Sequence, residues 1–220
     1  MAGTPTRSAD RGGPERRSSG DYRRRNMLPA GLLVLVLAVA SILTWVVVLT
    51  GSSASQTTSC NPPATGGGAV QARSALDGTA AAAPGDVAVT VLNGAGQRGQ
   101  GQLAAVELGE LGIAEAAPPD NDPLYPAQDL TCVGQIRYGP DGAAAARTLS
   151  IVVPCAELVD DGRPATTVDL ALGSEFRDIA PQQGVTDALR AISRGAASGT
   201  PAPGTDPAAL TALRDVDCSS

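Results

Sequence analysis

Residues 89–113 read VTVLNGAGQRGQGQLAAVELGELGI, and the period of the apolar residues changes at the glycines. Upstream, Val87, Val89 and Val91 alternate with Ala88 and Thr90, the two-residue period of a strand that starts at Asp86, and Asn93-Gly94 ends it in a turn. Downstream, Ala104, Leu108 and Leu111 fall at helical spacing, with Leu103 and Val106 widening the apolar face. Gly112 stands where a helix-ending glycine belongs, while Gly109 inside the helix costs about 1 kcal/mol relative to Ala. A strand running through a glycine turn into a helix predicts an α/β unit.

Further along, residues 117–130 (APPDNDPLYPAQDL) hold four prolines and three aspartates and predict a loop. Thr131 to Tyr138 predicts a second strand, and Asp141 is positioned to cap a helix through Ala145, Leu149 and Val152 that stops before Pro154. Thr166 to Leu172 alternates again, with Val168, Leu170 and Leu172 on one side. The order strand, helix, strand, helix, strand predicts a small βαβαβ domain of the α/β class, in two or three layers, with a mostly parallel sheet and right-handed crossovers. A third helix is marked by Val185, Leu189 and Ile192 after Pro181, so the domain is expected over 86–195, followed by a Pro/Gly-rich tail over 196–220 that ends near Cys218.

Toward the N-terminus the composition changes. Ala30 to Leu49 (AGLLVLVLAVASILTWVVVL) carries no charge, and twenty residues at 1.5 Å rise span roughly 30 Å, so 27–50 is expected to be one transmembrane helix. Arg23, Arg24 and Arg25 precede it, and no charge follows until Arg73, which places the N-terminus in the cytoplasm and the C-terminal domain outside the cell membrane. The apolar run is longer than the 7 to 15 residues of a cleaved signal peptide, although cleavage near Ser55 stays open as the alternative. Residues 1–26 are an Arg-rich tail without apolar periodicity, and 51–85, with Gly66-Gly67-Gly68, is expected to be a flexible tether.

The chain has no His, and all sixteen of its basic residues are Arg. A Ser-His-Asp or Cys-His nucleophile system, the commonest zinc ligand, Schiff-base chemistry and a P-loop are therefore excluded. From residue 27 onward nine Arg face nineteen carboxylates, which argues against nucleic acid as a partner. Only five aromatics occur, so the core must be built from Val, Leu, Ile and Ala.

Cys60, Cys132, Cys155 and Cys218 all follow the apolar segment, in a compartment where disulfides persist. Four cysteines allow three pairings. Cys132 with Cys155 is expected because the two bracket one strand-helix unit, which leaves Cys60 with Cys218.

Gly94-Ala95-Gly96-Gln97-Arg98-Gly99 also spells G-x-G-x-x-G, and Glu115 lies about twenty residues beyond it. A dinucleotide site would need that acidic residue at the end of a second strand, and a proline-rich stretch follows instead, so no cofactor is expected. The stretch 89–113, together with 168–176 (VDLALGSEF), resembles the LytR C-terminal domain, an accessory module of actinobacterial and related cell-envelope proteins. Asp21 to Pro29, Cys60-Asn61-Pro62-Pro63 and Asn121 to Pro126 are similar to the actinobacterial envelope integrity family. Relatives that carry a phosphotransferase domain before this module need room that is missing between the apolar segment and Asp86. The resemblance implies a non-catalytic, membrane-anchored binding or scaffolding module that contacts a cell-wall polymer, an envelope lipid or an envelope protein. Asn93, Gly94, Gly96, Arg98 and Gly99 are the candidate binding residues: the glycines permit positive φ and close helix packing, and the exposed amides beside Arg98 offer an anion site. The alternative is a phosphodiester-processing enzyme drawing on Asp86, Asp169, Glu175, Arg137 and Arg177.

Overall fold

The computed structural model describes residues 33, 35–41 and 59–218, which belong to two units, Met1–Ala54 and Ser55–Ser220. In the first, residues 35–41 are helical and exposed. The rest of the expected transmembrane segment 27–50 and the tail 1–26 lie outside the described residues, and among the described residues no helix is long and apolar enough to cross a membrane.

The second unit is built on six strands: β1 (Ala69–Gln71), β2 (Ala88–Asn93), β3 (Ala114–Asn121), β4 (Gly134–Tyr138), β5 (Glu157–Asp160) and β6 (Val168–Leu172). The order across the sheet is β1-β5-β4-β6-β2-β3. Pairs β2/β3, β2/β6 and β4/β5 are parallel, whereas β4/β6 and β1/β5 are antiparallel. The α/β class thus holds, but the sheet is mixed and has three strands that the alternation did not mark.

Helices α1 (Gln100–Glu110) and α2 (Ala143–Val152) cross from β2 to β3 and from β4 to β5. These two units run in opposite directions and step to opposite edges, so right-handed crossovers place both helices on the same face. Helices α3 (Gln183–Ser198) and α4 (Pro207–Ala212) join them there. Ala104 and Leu108 of α1, Leu149 of α2, Val185, Leu189 and Ile192 of α3 and Leu210 of α4 share one core with Val89, Val91, Ile136, Leu158, Val168, Leu170 and Leu172 of the strands. The domain is therefore two-layered. On the other face Leu92 and Ala171 pack under Tyr125, Leu130 and Cys132, with Cys60 and Leu124 alongside.

Several expectations change. The proline-rich residues 117–121 belong to β3 rather than to a loop; Pro118 and Pro119 are tolerated because β3 is an edge strand, where a missing N–H leaves no ladder partner unsatisfied, and the register against β2 shifts beside them. Asp141 makes no cap: α2 starts from Gly142 after a 3-10 turn, Pro140–Gly142. The expected tether supplies β1, and Leu76 is buried in the main core. All four cysteines are bridged, yet as Cys60–Cys132 and Cys155–Cys218, which replaces the expected pairing. The reason is topological. After α2 the chain passes Cys155 and continues into β5, which lies on the far side of β4 from β6, while the C-terminal segment beyond α4 returns to Cys155 and residues 60–61 reach the start of the 131–138 segment.

Candidate functional site

At the end of β2, the Asn93 side chain turns back on its own loop. Its Oδ1 accepts hydrogen bonds from the amides of Ala95 (3.3 Å) and Gly96 (3.0 Å), and its Nδ2 donates to the Gln97 carbonyl (3.0 Å). The amides of Ala95 and Gly96 are thereby occupied by the protein itself. Of Gly94 and Gly96, the two glycines expected to hold a positive φ, Gly96 does (φ 71°); Gly99, expected to serve close helix packing, holds one as well (φ 77°). Gly94 does not; it is required because a Cβ there would lie 2.9 Å from Leu130 Cδ2 and 3.0 Å from the Leu172 carbonyl oxygen. Gly99 has open space around it, and close packing of α1 on the sheet falls instead to Gly101, whose Cβ would lie 3.2 Å from Pro119 Cβ and 3.8 Å from Val91.

The run after β6 is stitched to this turn. Gly94 N–H donates to the Leu172 carbonyl (2.9 Å), Gln97 Nε2 to the Ser174 carbonyl (3.3 Å) and buried Gln100 Nε2 to the Phe176 carbonyl (3.0 Å). The two stretches that carry the sequence resemblance thus form one structural unit.

Beside the turn, at the C-terminal ends of β2 and β3, lies a cleft of about 400 Å³ lined by Asn93, Gly96, Arg98 and Gly99 together with Gln102, Asp120, Asn121 and Gln128. Four of the five candidate binding residues come together here, and Gly94 is not among the lining residues but packs against Leu130 and Leu172. Gln128 holds φ 56°, an uncommon conformation for a residue with a side chain, and its Nε2 donates to Asn121 Oδ1 at 3.0 Å. Asp120 and Arg98 line the same cleft, so the lining includes residues of both charge signs. Sequence reasoning missed Asp120, Asn121 and Gln128, because they were assigned to a loop; the signal was the Pro-Pro-Asp-Asn run after α1, readable as an edge strand.

The residues weighed for catalysis are dispersed. Asp86 is exposed in the turn before β2, at the other end of the strand from Asn93, whereas Glu175 and Arg177 line a separate depression next to Cys155 and Cys218. Arg137 and Asp169 stand opposite each other in β4 and β6, but each is engaged elsewhere. Arg137 is buried and forks onto both carboxylate oxygens of Asp122, at 2.9 and 2.7 Å, while its Nε and Nη2 donate to Gln135 Oε1. Gln135 passes the network on to Glu157 (2.9 Å), and the Tyr125 ring lies under the guanidinium, 5.7 Å from centroid to Cζ. Burial raises the Tyr125 phenol above its ordinary value against the lowering effect of the Arg137 charge. Asp169 pairs with Arg163, which also holds Asp161.

The family described as LytR cell envelope-related transcriptional attenuator matches residues 86–176. The chain is 35% identical over 205 residues to the cell envelope integrity protein Cei of Mycobacterium tuberculosis, covering 90% of this chain and 92% of that protein. It is also similar to the crystal structure of the soluble domain of a conserved hypothetical secreted protein from Mycobacterium marinum, with a TM-score of 0.60 and 34% identity over 69% of this chain and 98% of that one.

Proposed function

Because the chain belongs to the family of cell envelope integrity proteins with a LytR C-terminal domain, we propose that it is a non-catalytic binding or scaffolding module, held to the cell membrane by residues 27–50 with its domain outside. The observation that carries the binding role is the cleft at the glycine turn. Its amide side chains, one carboxylate and one guanidinium offer the mixed donors and acceptors that sugar hydroxyls require. An anion is the weaker fit, since Asn93 already engages the amides of Ala95 and Gly96 and Asp120 lines the same cleft as Arg98. The ligand is therefore a hydroxyl-rich segment of a cell-wall polymer.

Sedimentation of the full chain with purified cell-wall polymer tests this reading. Gln102→Ala with Asn121→Ala should release the protein from the pellet while leaving its melting temperature within about 2 °C, as expected for surface changes; co-sedimentation equal to the unaltered chain would remove the cleft from consideration. The topology has its own check. A cysteine engineered at Ser18 should react with a membrane-impermeant maleimide only after permeabilisation, and one at Gln102 without it; the reverse pattern overturns the anchoring.

A further inference from the structure

On the helix side of the domain three arginines gather around a single carboxylate. Arg147 and Arg214 are 0% and 3% exposed, and both donate to the same oxygen of Asp77, at 3.0 and 3.2 Å. Arg73 and Arg214 are interlocked: the Arg73 guanidinium donates to the Arg214 carbonyl, and Arg214 Nη1 donates to the Arg73 carbonyl at 2.7 Å. Even so, Nε of Arg147 and both Nε and Nη2 of Arg214 are buried with no hydrogen-bond partner. Unpaired buried donors on charged groups are costly, so this cluster lacks a partner that its chemistry calls for.

A cleft of about 590 Å³ opens beside it, walled by Arg73, Ser74, Asp77, Thr211, Arg214 and Asp215. Arg73 and Arg214 in the wall face the carboxylates of Asp77 and the exposed Asp215, and Arg147, bound to Asp77 from outside the wall, adds a third guanidinium, a local positive excess in a chain whose formal net charge is −6. Burial, and next the charge of Arg147, lower Arg214 to about 10, which shows how poorly its charge is compensated. Guanidinium forks match tetrahedral oxyanions in both charge and geometry. The volume exceeds a single ion and falls in the range of ligand pockets.

We propose that the cleft between the segment after β1 and α4 binds a phosphate group through Arg73 and Arg214, at a site separate from the glycine-turn cleft. The phosphate is inorganic phosphate or the phosphodiester of a lipid headgroup. Ser74 is exposed in the same wall, next to Arg73, so a carboxylate introduced there places a competing negative charge in the cleft.

The test is thermal unfolding of the full chain in detergent micelles, in sodium phosphate and in sodium chloride at matched ionic strength and pH. Phosphate should raise the melting temperature over chloride, and Arg73→Gln, a half-buried position, should weaken the apparent affinity about tenfold, the equivalent of one charge-assisted hydrogen bond. Ser74→Asp should raise the melting temperature in chloride and abolish the response to phosphate. Titration with glycerophosphoglycerol, the water-soluble headgroup of phosphatidylglycerol, assigns the source: tighter binding than inorganic phosphate identifies the lipid, and weaker binding identifies the free ion. No rise over chloride, or an equal response in the unaltered chain and in Ser74→Asp, overturns the site.

Discussion

Gly94 leaves no room for a methyl group between Leu130 and the Leu172 carbonyl, and both neighbours are held by the hydrogen bonds that tie the turn to the strand after it. Gly94→Ala should therefore destabilise the domain by about 1–3 kcal/mol through overpacking. Gly99→Ala meets open space and should cost about 1 kcal/mol, for its positive φ alone. Chemical unfolding of the two variants separates these causes, and equal losses would contradict the assignment. The sequence showed that glycines were needed here; which one answers to φ and which to a neighbour was not legible, because Leu130 and Leu172 are far away in the chain. Charged residues follow the same pattern. Burial would raise the Asp161 carboxyl, but hydrogen bonds from the Arg163 side chain and backbone bring it below its ordinary value. A lowered folded pKa means that the unfolded chain binds the proton more readily, so this contribution is complete above about pH 4 and is lost as pH falls through the folded value. Acid titration of stability should show a shallower decline in Asp161→Asn than in the unaltered chain.

Elements with an apolar alternation or a helical stripe were readable, and those set by an edge or a partner were not. Strands β2 and β6 and helices α1 to α3 fall where periodicity placed them, since each buries one face in the main core. Strand β3 hid behind its prolines, and β1 is three residues long with Val70 exposed, so neither has a pattern to read. The short helix α4 is capped by Asp206, which accepts from the Ala209 amide at 3.0 Å, but six residues cannot hold a helix alone. Leu210 docks it in the core, and the Cys155–Cys218 bridge fastens the chain just beyond it. Cys155→Ser with Cys218→Ser should lower stability by about 2–4 kcal/mol and speed hydrogen exchange in α4 before any strand. Exchange rising first in β1 would mean that the bridge does not hold α4 in place.

At the scale of the whole molecule, the domain is larger than its most readable stretch. Asp86 begins the visible alternation and the region matched by the family description, yet the fold enlists the chain from Cys60 onward. Asn61 binds Thr131 through its side chain and Tyr125 through its carbonyl, β1 covers the edge of β5, and Asp77 is the shared partner of Arg147 and Arg214. A protein beginning at Asp86 would lack all of these. Removing Asp77 alone leaves two buried guanidinium groups without their carboxylate, a loss of about 3–5 kcal/mol for an uncompensated buried charge. Removing Cys60 takes away a bridge that contributes about 2–4 kcal/mol. Together these approach the about 5–15 kcal/mol that stabilises a whole domain. Residues 86–220 expressed alone should therefore show no cooperative thermal transition, whereas residues 55–220 should melt cooperatively. Calorimetry on the two fragments decides the matter, and a sharp transition in the shorter one would mean that the segment 60–85 packs on a domain already complete without it.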